Sequence, residues 1–372
     1  MINLNYKKVA SVSFLMVAIV ISSQISAKES QLDLGWQGIN ADYYSYMTTA
    51  TNTIRDSESF AASGIIRLAG NYNFSAGSRI RFKVEHRDTF TSTTPKDFVF
   101  NSVGAVGLIV PQFSDQGFRL TNLYWEKQFN NNQTEMTLGF LDTTNYLDLY
   151  MLGNPWGGFN NFIFSTGAGS LTMPDEATLG VTLRHMFTDN IYGLASITDA
   201  NSLSTEPFDD IFKGGNLFKS LEFGWVPSLR NFYSNNVHIL YWELDGGTRH
   251  SEEKSSGINF SWVHKIDNIV PFIRAGVSDG DASLISTSIT TGVGYFLADK
   301  KSSVGLAFGW GKPNKKLFKT QFEEQYTTEL YYKTTVFNAL TLTPNIQYLK
   351  GLPFNEEESS AWVFGVRMSL SF

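Results

Sequence analysis

The sequence predicts an all-β protein: a transmembrane antiparallel β-barrel of about sixteen strands with long loops folded inward. Three observations predict it: an apolar repeat with a period of two, an export signal at the start, and connections that alternate long and short. The repeat is cleanest at the end of the chain. Trp362, Phe364, Val366, Met368, Leu370 and Phe372 share one face; Ala361, Val363, Gly365, Arg367, Ser369 and Ser371 share the other. Successive side chains of a strand point to opposite faces, so one face is large and apolar and the other mostly small or polar. Val304, Leu306, Phe308 and Trp310 repeat the pattern, as do Ile80, Phe82 and Val84 against Arg79, Arg81, Lys83, Glu85 and Arg87. A soluble sandwich shares this pattern but buries the apolar face, whereas a membrane barrel turns it toward lipid and its polar face toward a lumen. Trp310, Trp362 and Phe372 lie near strand ends, where interfacial aromatics belong.

The start of the chain reads as a secretory signal peptide over 1–27. Lys7 and Lys8 form the positive region, Val9 to Ile21 is apolar apart from two serines, and Ile25-Ser26-Ala27 offers a cleavage site. The apolar stretch is too short to cross the ~30 Å hydrocarbon core as a helix. The remainder, 28–372, reads as one barrel with no repeat, linker or low-complexity tract.

Strands are expected near 35–46, 59–74, 78–90, 118–130, 133–141, 176–188, 190–199, 217–227, 235–245, 255–264, 269–278, 286–297, 302–311, 322–334, 340–350 and 360–372. Sixteen is even, as closure of a bacterial antiparallel barrel requires; fourteen and eighteen are the alternatives. With both termini periplasmic, the long connections fall outside and the short ones in the periplasm. A barrel of this size encloses an aqueous channel, so function is expected in what narrows it. The connection 142–175 is expected to fold inward, with Trp156 and Phe159 as constriction aromatics. The apolar Val103 to Val110 stretch of 91–117 is expected to pack inside the mouth.

Composition removes other classes. Of 372 residues only 17% are charged and 15% are aromatic; Lys+Arg is 29 against Asp+Glu 35, with no basic cluster for nucleic acid. Zero Cys excludes thiolate metal sites and disulfide scaffolds, and no cofactor or metal motif stands out. Gly276-Val277-Ser278-Asp279-Gly280 matches a nucleophile-elbow pattern, but that pattern needs a strand-to-helix turn, and here it ends a strand.

By alternation the inward charges near mid-strand are Arg67, Arg79, Arg81, Lys83, Glu85, Arg87, Arg184, Glu222, Arg274, Glu329 and Arg367. These are the expected pore-lining and substrate-contact residues, with Tyr331 and Trp242 as further flat faces. The set is mixed with a basic excess. Such a lumen suits neutral polyhydroxylated solutes, and it equally permits small anions. A plugged barrel acting as an enzyme or adhesion protein is the third reading.

The residues also resemble a known family, the carbohydrate-selective porins of the bacterial outer membrane. The similarity runs from Leu138-Gly139-Phe140-Leu141-Asp142-Thr143-Thr144-Asn145-Tyr146-Leu147-Asp148 through Leu179-Gly180-Val181, Thr198-Asp199-Ala200-Asn201 and Pro271-Phe272-Ile273-Arg274-Ala275-Gly276. It is best in the closing stretch, from Thr343-Pro344-Asn345-Ile346-Gln347-Tyr348 through Phe364-Gly365-Val366-Arg367 to Phe372. The resemblance implies a sixteen-stranded passive sugar channel with a charged constriction made by an inward loop, in which Arg274 and Arg367 face the lumen. A final Phe372 resembles the signal by which outer-membrane barrels engage their assembly machinery. Outer-membrane lipid and lipopolysaccharide are the other expected partners, the latter bridged through a divalent ion to acidic loop clusters such as Asp209-Asp210 and Glu356-Glu357-Glu358. The assembly is expected to be a homotrimer or a monomer.

Overall fold

A computed structural model describes residues 35–372 apart from 76, 210, 300, 337 and 338. The signal peptide expected over 1–27, and Asp210 of one acidic cluster, lie outside the described residues. The strands are β1 (Gly35–Ala50), β2 (Phe60–Ser75), β3 (Ser78–Thr89), β4 (Gly117–Phe129), β5 (Thr134–Leu141), β6 (Thr178–Met186), β7 (Ile191–Asp199) and β8 (Leu217–Trp225). They continue as β9 (Asn235–Leu244), β10 (Ser255–His264), β11 (Ile269–Asp279), β12 (Ile285–Phe296), β13 (Ser303–Pro313), β14 (Gln325–Val336), β15 (Leu340–Lys350) and β16 (Ser360–Ser371). Each strand pairs antiparallel with its sequence neighbours, and β1 closes the barrel on β16, from Asp42 opposite Ser371 to Ala50 opposite Val363.

The outer face carries the apolar set that the alternation selects. Phe223 is 50% exposed and Ile239 55%, values that a dry sandwich core would not leave. Ile80, Phe82 and Val84 are half-exposed on the same outer face. Trp36, Phe74, Phe129, Trp225 and Phe372 ring the end where β1 starts, and Phe118, Tyr326 and Trp362 ring the other. An apolar belt between two aromatic rings fits a bilayer, where a closed wall leaves no backbone group unpaired.

The long connections leave odd-numbered strands, and most connections after even-numbered strands are tight. Loop 90–116 and loop 142–177 both turn into the barrel. Val103, Ala105, Val106, Ile109, Val110 and Phe113 are fully buried there. The two loops join each other: Val110 N–H donates to Asn160 O (2.9 Å) and Phe162 N–H to Leu108 O (3.1 Å). Loop 142–177 packs its Tyr150, Phe159, Phe162, Ile163 and Phe164 on Phe272, Ala307 and Tyr331 of the wall. Gly276 of β11 permits that approach, because a Cβ there would collide with Ser170 of the loop. The motif around Ser278 thus lies in a strand, with the Ser278 hydroxyl 3.4 Å from Ile285 O.

Candidate functional site: a loop-narrowed channel

A loop crossing a lumen brings backbone N–H and C=O groups that no sheet ladder can satisfy. Inward side chains of the wall take that role at two latches. In the first, Asp148 of the loop lies between His238 of β9, at 2.8 Å from Nε2, and the guanidinium of Arg274 of β11. The Asp148 N–H donates to Glu222 of β8 (2.8 Å), whose other oxygen accepts the Tyr192 hydroxyl (2.7 Å). Arg274 also donates to Ser165 O. Burial alone would raise the Asp148 pKa, but the Arg274 charge and the His238 hydrogen bond outweigh it and hold it below the ordinary range.

In the second latch Glu329 of β14 accepts the backbone N–H groups of Asn160 (2.7 Å) and Asn161 (2.9 Å). Arg367 of β16 donates to Pro155 O (2.6 Å), Gly158 O (3.0 Å) and the Asn160 side chain (2.5 Å). These are charge-assisted bonds, the stronger kind.

The latches correct part of the sequence reading. Glu222, Arg274, Glu329 and Arg367 do point inward, but the loop covers them, leaving each at most 1% exposed. They hold the constriction instead of lining it. Phe159 is likewise no constriction aromatic: it is buried among Phe164, Phe272 and Tyr331, 5.0 Å from the Tyr331 ring. Tyr331 and Trp242 are also buried, Trp242 beneath Leu147 and Leu240. Apolar wall residues attract an apolar loop face, so aromatics pointing inward at this level become core.

Of the remaining inward charges, Arg67, Lys83 and Arg87 border the passage, whereas Glu85 is buried and Arg79, Arg81 and Arg184 lie outside its lining. Arg67 of β2 donates from Nε (2.8 Å) and Nη2 (2.6 Å) to Glu85 of β3, which also accepts from Arg87 Nε (2.8 Å). Arg87 reaches Glu176 (3.1 Å), and Lys83 reaches Asp142 (3.1 Å). Trp156 of the loop borders the passage: the Arg67 guanidinium lies 3.9 Å from its ring centroid, with Tyr44 against the same ring. Arg79 and Arg81 converge on Glu126 nearer the turn end, and Arg184 pairs with Glu135 (3.1 Å).

Arg119 completes the basic wall and was not anticipated. It pairs with Asp175 (3.1 Å) and Glu176. Lys83 faces Asn122 while Val84 faces Leu120, so Thr121 is an extra residue in β4. Such a bulge reverses the facing of everything beyond it, which turns Arg119 inward opposite Glu85. Lys96 and Lys333 also border the passage and have no ion pair among the described residues. The passage is one cavity of about 990 Å³, running from His250 at the loop end, past Arg67 and Trp156, to Phe296 and Lys333 near the turn end.

Residues 261–372 match the sequence model of a family described as "Carbohydrate-selective porin, OprB family". Among curated proteins none matches the chain. Among solved structures, the high-pH structure of Pseudomonas putida OprB superposes with a TM-score of 0.72 at 15% identity, over 91% of this chain and 94% of that one. OmpT, an outer membrane protein of Vibrio cholerae solved in a trimer form, gives 0.53 at 12% identity over 91% and 100%. A mutant of the Rh. blastica porin gives 0.56 at 9% identity over 90% and 99%.

Proposed function

We propose that this chain is an outer-membrane channel through which carbohydrates, both mono- and oligosaccharides, diffuse passively into the periplasm. The observation that carries this reading is the passage itself. It is continuous along the lumen, is narrowed by a latched loop, and is walled by charges that are mostly paired with one another. Paired charges keep directional donors and acceptors for hydroxyls without demanding an ionic solute. Trp156 adds a flat aromatic face beside Arg67. The match of residues 261–372 to a family described as carbohydrate-selective supports the same solute class. Export by the signal over 1–27, insertion through Phe372, and contact with lipopolysaccharide belong to this proposal. So does a homotrimer, the trimer form of the OmpT structure being its support.

Liposome swelling with sugars of increasing size is the test. Swelling with hexoses and disaccharides that falls off with size supports the reading; no swelling with any sugar overturns it. A second reading, passage of small anions, is favoured by Lys96 and Lys333, which border the passage and have no ion pair among the described residues. Strong anion selectivity in a salt gradient, without current block by sugars, would select it.

A further inference from the structure

We infer that the turn end of the lumen holds a second saccharide subsite, in a recess beside Asn122, where one sugar ring rests on its way past the constriction. The inference rests on the carbohydrate reading above. The recess has a volume of about 180 Å³ and adjoins the main passage: Asp142, Asn145, Leu149 and Tyr233 border both. Its far side is closed by an unusual connection. Barrel turns at this end are short as a rule, but 226–234 is long enough to fold inward beneath the loop. Phe232 of that turn is buried against Tyr192, 5.0 Å between ring centroids, and clusters with Val226 and Met186.

Three properties of the recess choose its occupant. The first is aromatic surface. Tyr124, Tyr146 and Tyr233 border it, and a sugar presents a C–H face that suits the apolar body of such rings while their hydroxyls stay available for polar partners.

The second is charge that is already neutralised. Glu126 pairs with Arg79 and Arg81, Glu135 with Arg184 (3.1 Å), and Asp142 with Lys83 (3.1 Å). Every carboxylate that borders the recess is therefore balanced, with one guanidinium in excess at Glu126, so a cation entering it meets no free counter-charge. A neutral polyol meets carboxylate oxygens and a guanidinium whose remaining capacity is open to hydroxyls.

The third is an unmade hydrogen bond. Asn122 is 4% exposed; its Oδ1 accepts from Asn145 Nδ2 (3.3 Å), but its own Nδ2 is buried without a partner. A buried donor left unpaired is costly, and a hydroxyl oxygen in the recess would satisfy it. Asn122 sits directly beside the extra residue Thr121, at the point where β4 changes phase.

Single-channel recording on the full mature protein in planar bilayers, with D-glucose as the probe, tests the inference. Two populations of current block are expected, one from the constriction and one from the recess. Asn122→Leu removes the unpaired donor, and Tyr124→Ala removes a ring that borders the recess but not the main passage. Each should shorten one population about three- to tenfold, the range that one hydrogen bond or ring contact sets. The other population and the conductance in salt alone should stay as they were. A single population in the unaltered channel, or durations unchanged in both variants, overturns the subsite while leaving the carbohydrate channel standing. Complete absence of block and flux with every sugar overturns both.

Discussion

The Glu329 carboxylate meets the backbone N–H of Asn160 at 2.7 Å, which ties the fourteenth strand to the tip of the constricting loop. The next N–H, from Asn161, reaches the second oxygen of the same carboxylate at 2.9 Å. A wall residue thus supplies acceptors to a segment that has no ladder of its own. The position of the constriction follows from such contacts and not from the loop sequence alone.

Glu329→Ala should therefore free the loop tip. It removes two hydrogen bonds to a charged group, each worth about 1.5–3 kcal/mol, and leaves Arg367 without its acidic neighbour. The expected result is higher single-channel conductance with greater open-channel noise, while the barrel keeps its folded electrophoretic mobility. An unaltered conductance and noise level would show that the loop stays put without this latch.

Arg67 governs the passage differently. It is fixed by two bonds to Glu85 and lies over the Trp156 ring. Arg67→Ala should weaken block by glucose about tenfold, equivalent to about 1.4 kcal/mol. Trp156→Ala should weaken it comparably. The double variant should lose less than the sum, because the cation–aromatic contact, about 0.5–2 kcal/mol, is shared by both. Additive losses in that cycle would separate the two residues functionally.

The fold was legible in the sequence because lipid imposes a strict rule: every second residue of a spanning strand must be apolar. That is why β10 and β15 begin and end where the alternation places them, at Ser255–His264 and Leu340–Lys350. The site was legible only in part. Alternation says that Arg67 and Arg367 both face inward, but not that Pro155 and Gly158 cover only the second. Burial of an inward residue depends on where a distant loop lands, which no local period encodes. Arg119 was hidden for another reason. Counting back from lipid-facing Leu123 by twos places 119 outward, and only the extra Thr121 reverses it. Asp148 closes the family-like segment that starts at Leu138, but nothing in that segment marks it as a latch, and Glu176, expected to open a strand, lies in the loop before Thr178.

Lys96 and Lys333 should set ion preference, since their charges alone among the cations of the passage named above have no acidic or other polar partner among the described residues. Lys96→Glu with Lys333→Glu should move the reversal potential in a potassium chloride gradient toward the potassium equilibrium value, with conductance changed by less than about twofold. The like substitution at Lys254, an exposed residue paired with Glu243 (2.8 Å), should shift it far less, because exposed charges are screened over ~8–10 Å. Equal shifts at both places would mean that the two lysines do not face the conducting path.

Acidification tests the first latch. An Asp carboxyl free in solution titrates near 3.9, and the Asp148 carboxyl is held below its ordinary value by Arg274 and His238 against the opposing effect of burial. A depressed value means that the latch contributes fully above the ordinary carboxylate range and is lost as pH falls through the lowered value. The Asp148-dependent part of the open-channel conductance, read as the difference between the wild type and Asp148→Asn, should thus stay level while pH is lowered through the ordinary range and change only below it. Asp148→Asn keeps the shape, removes the charge and leaves Arg274 without its counter-ion. It should bring the acid-state noise to neutral pH, and its conductance should no longer respond to acid in that window. A transition centred at or above the ordinary carboxylate value that disappears in Asp148→Asn would contradict the latch, because it would place the Asp148 carboxyl outside the hold of Arg274 and His238.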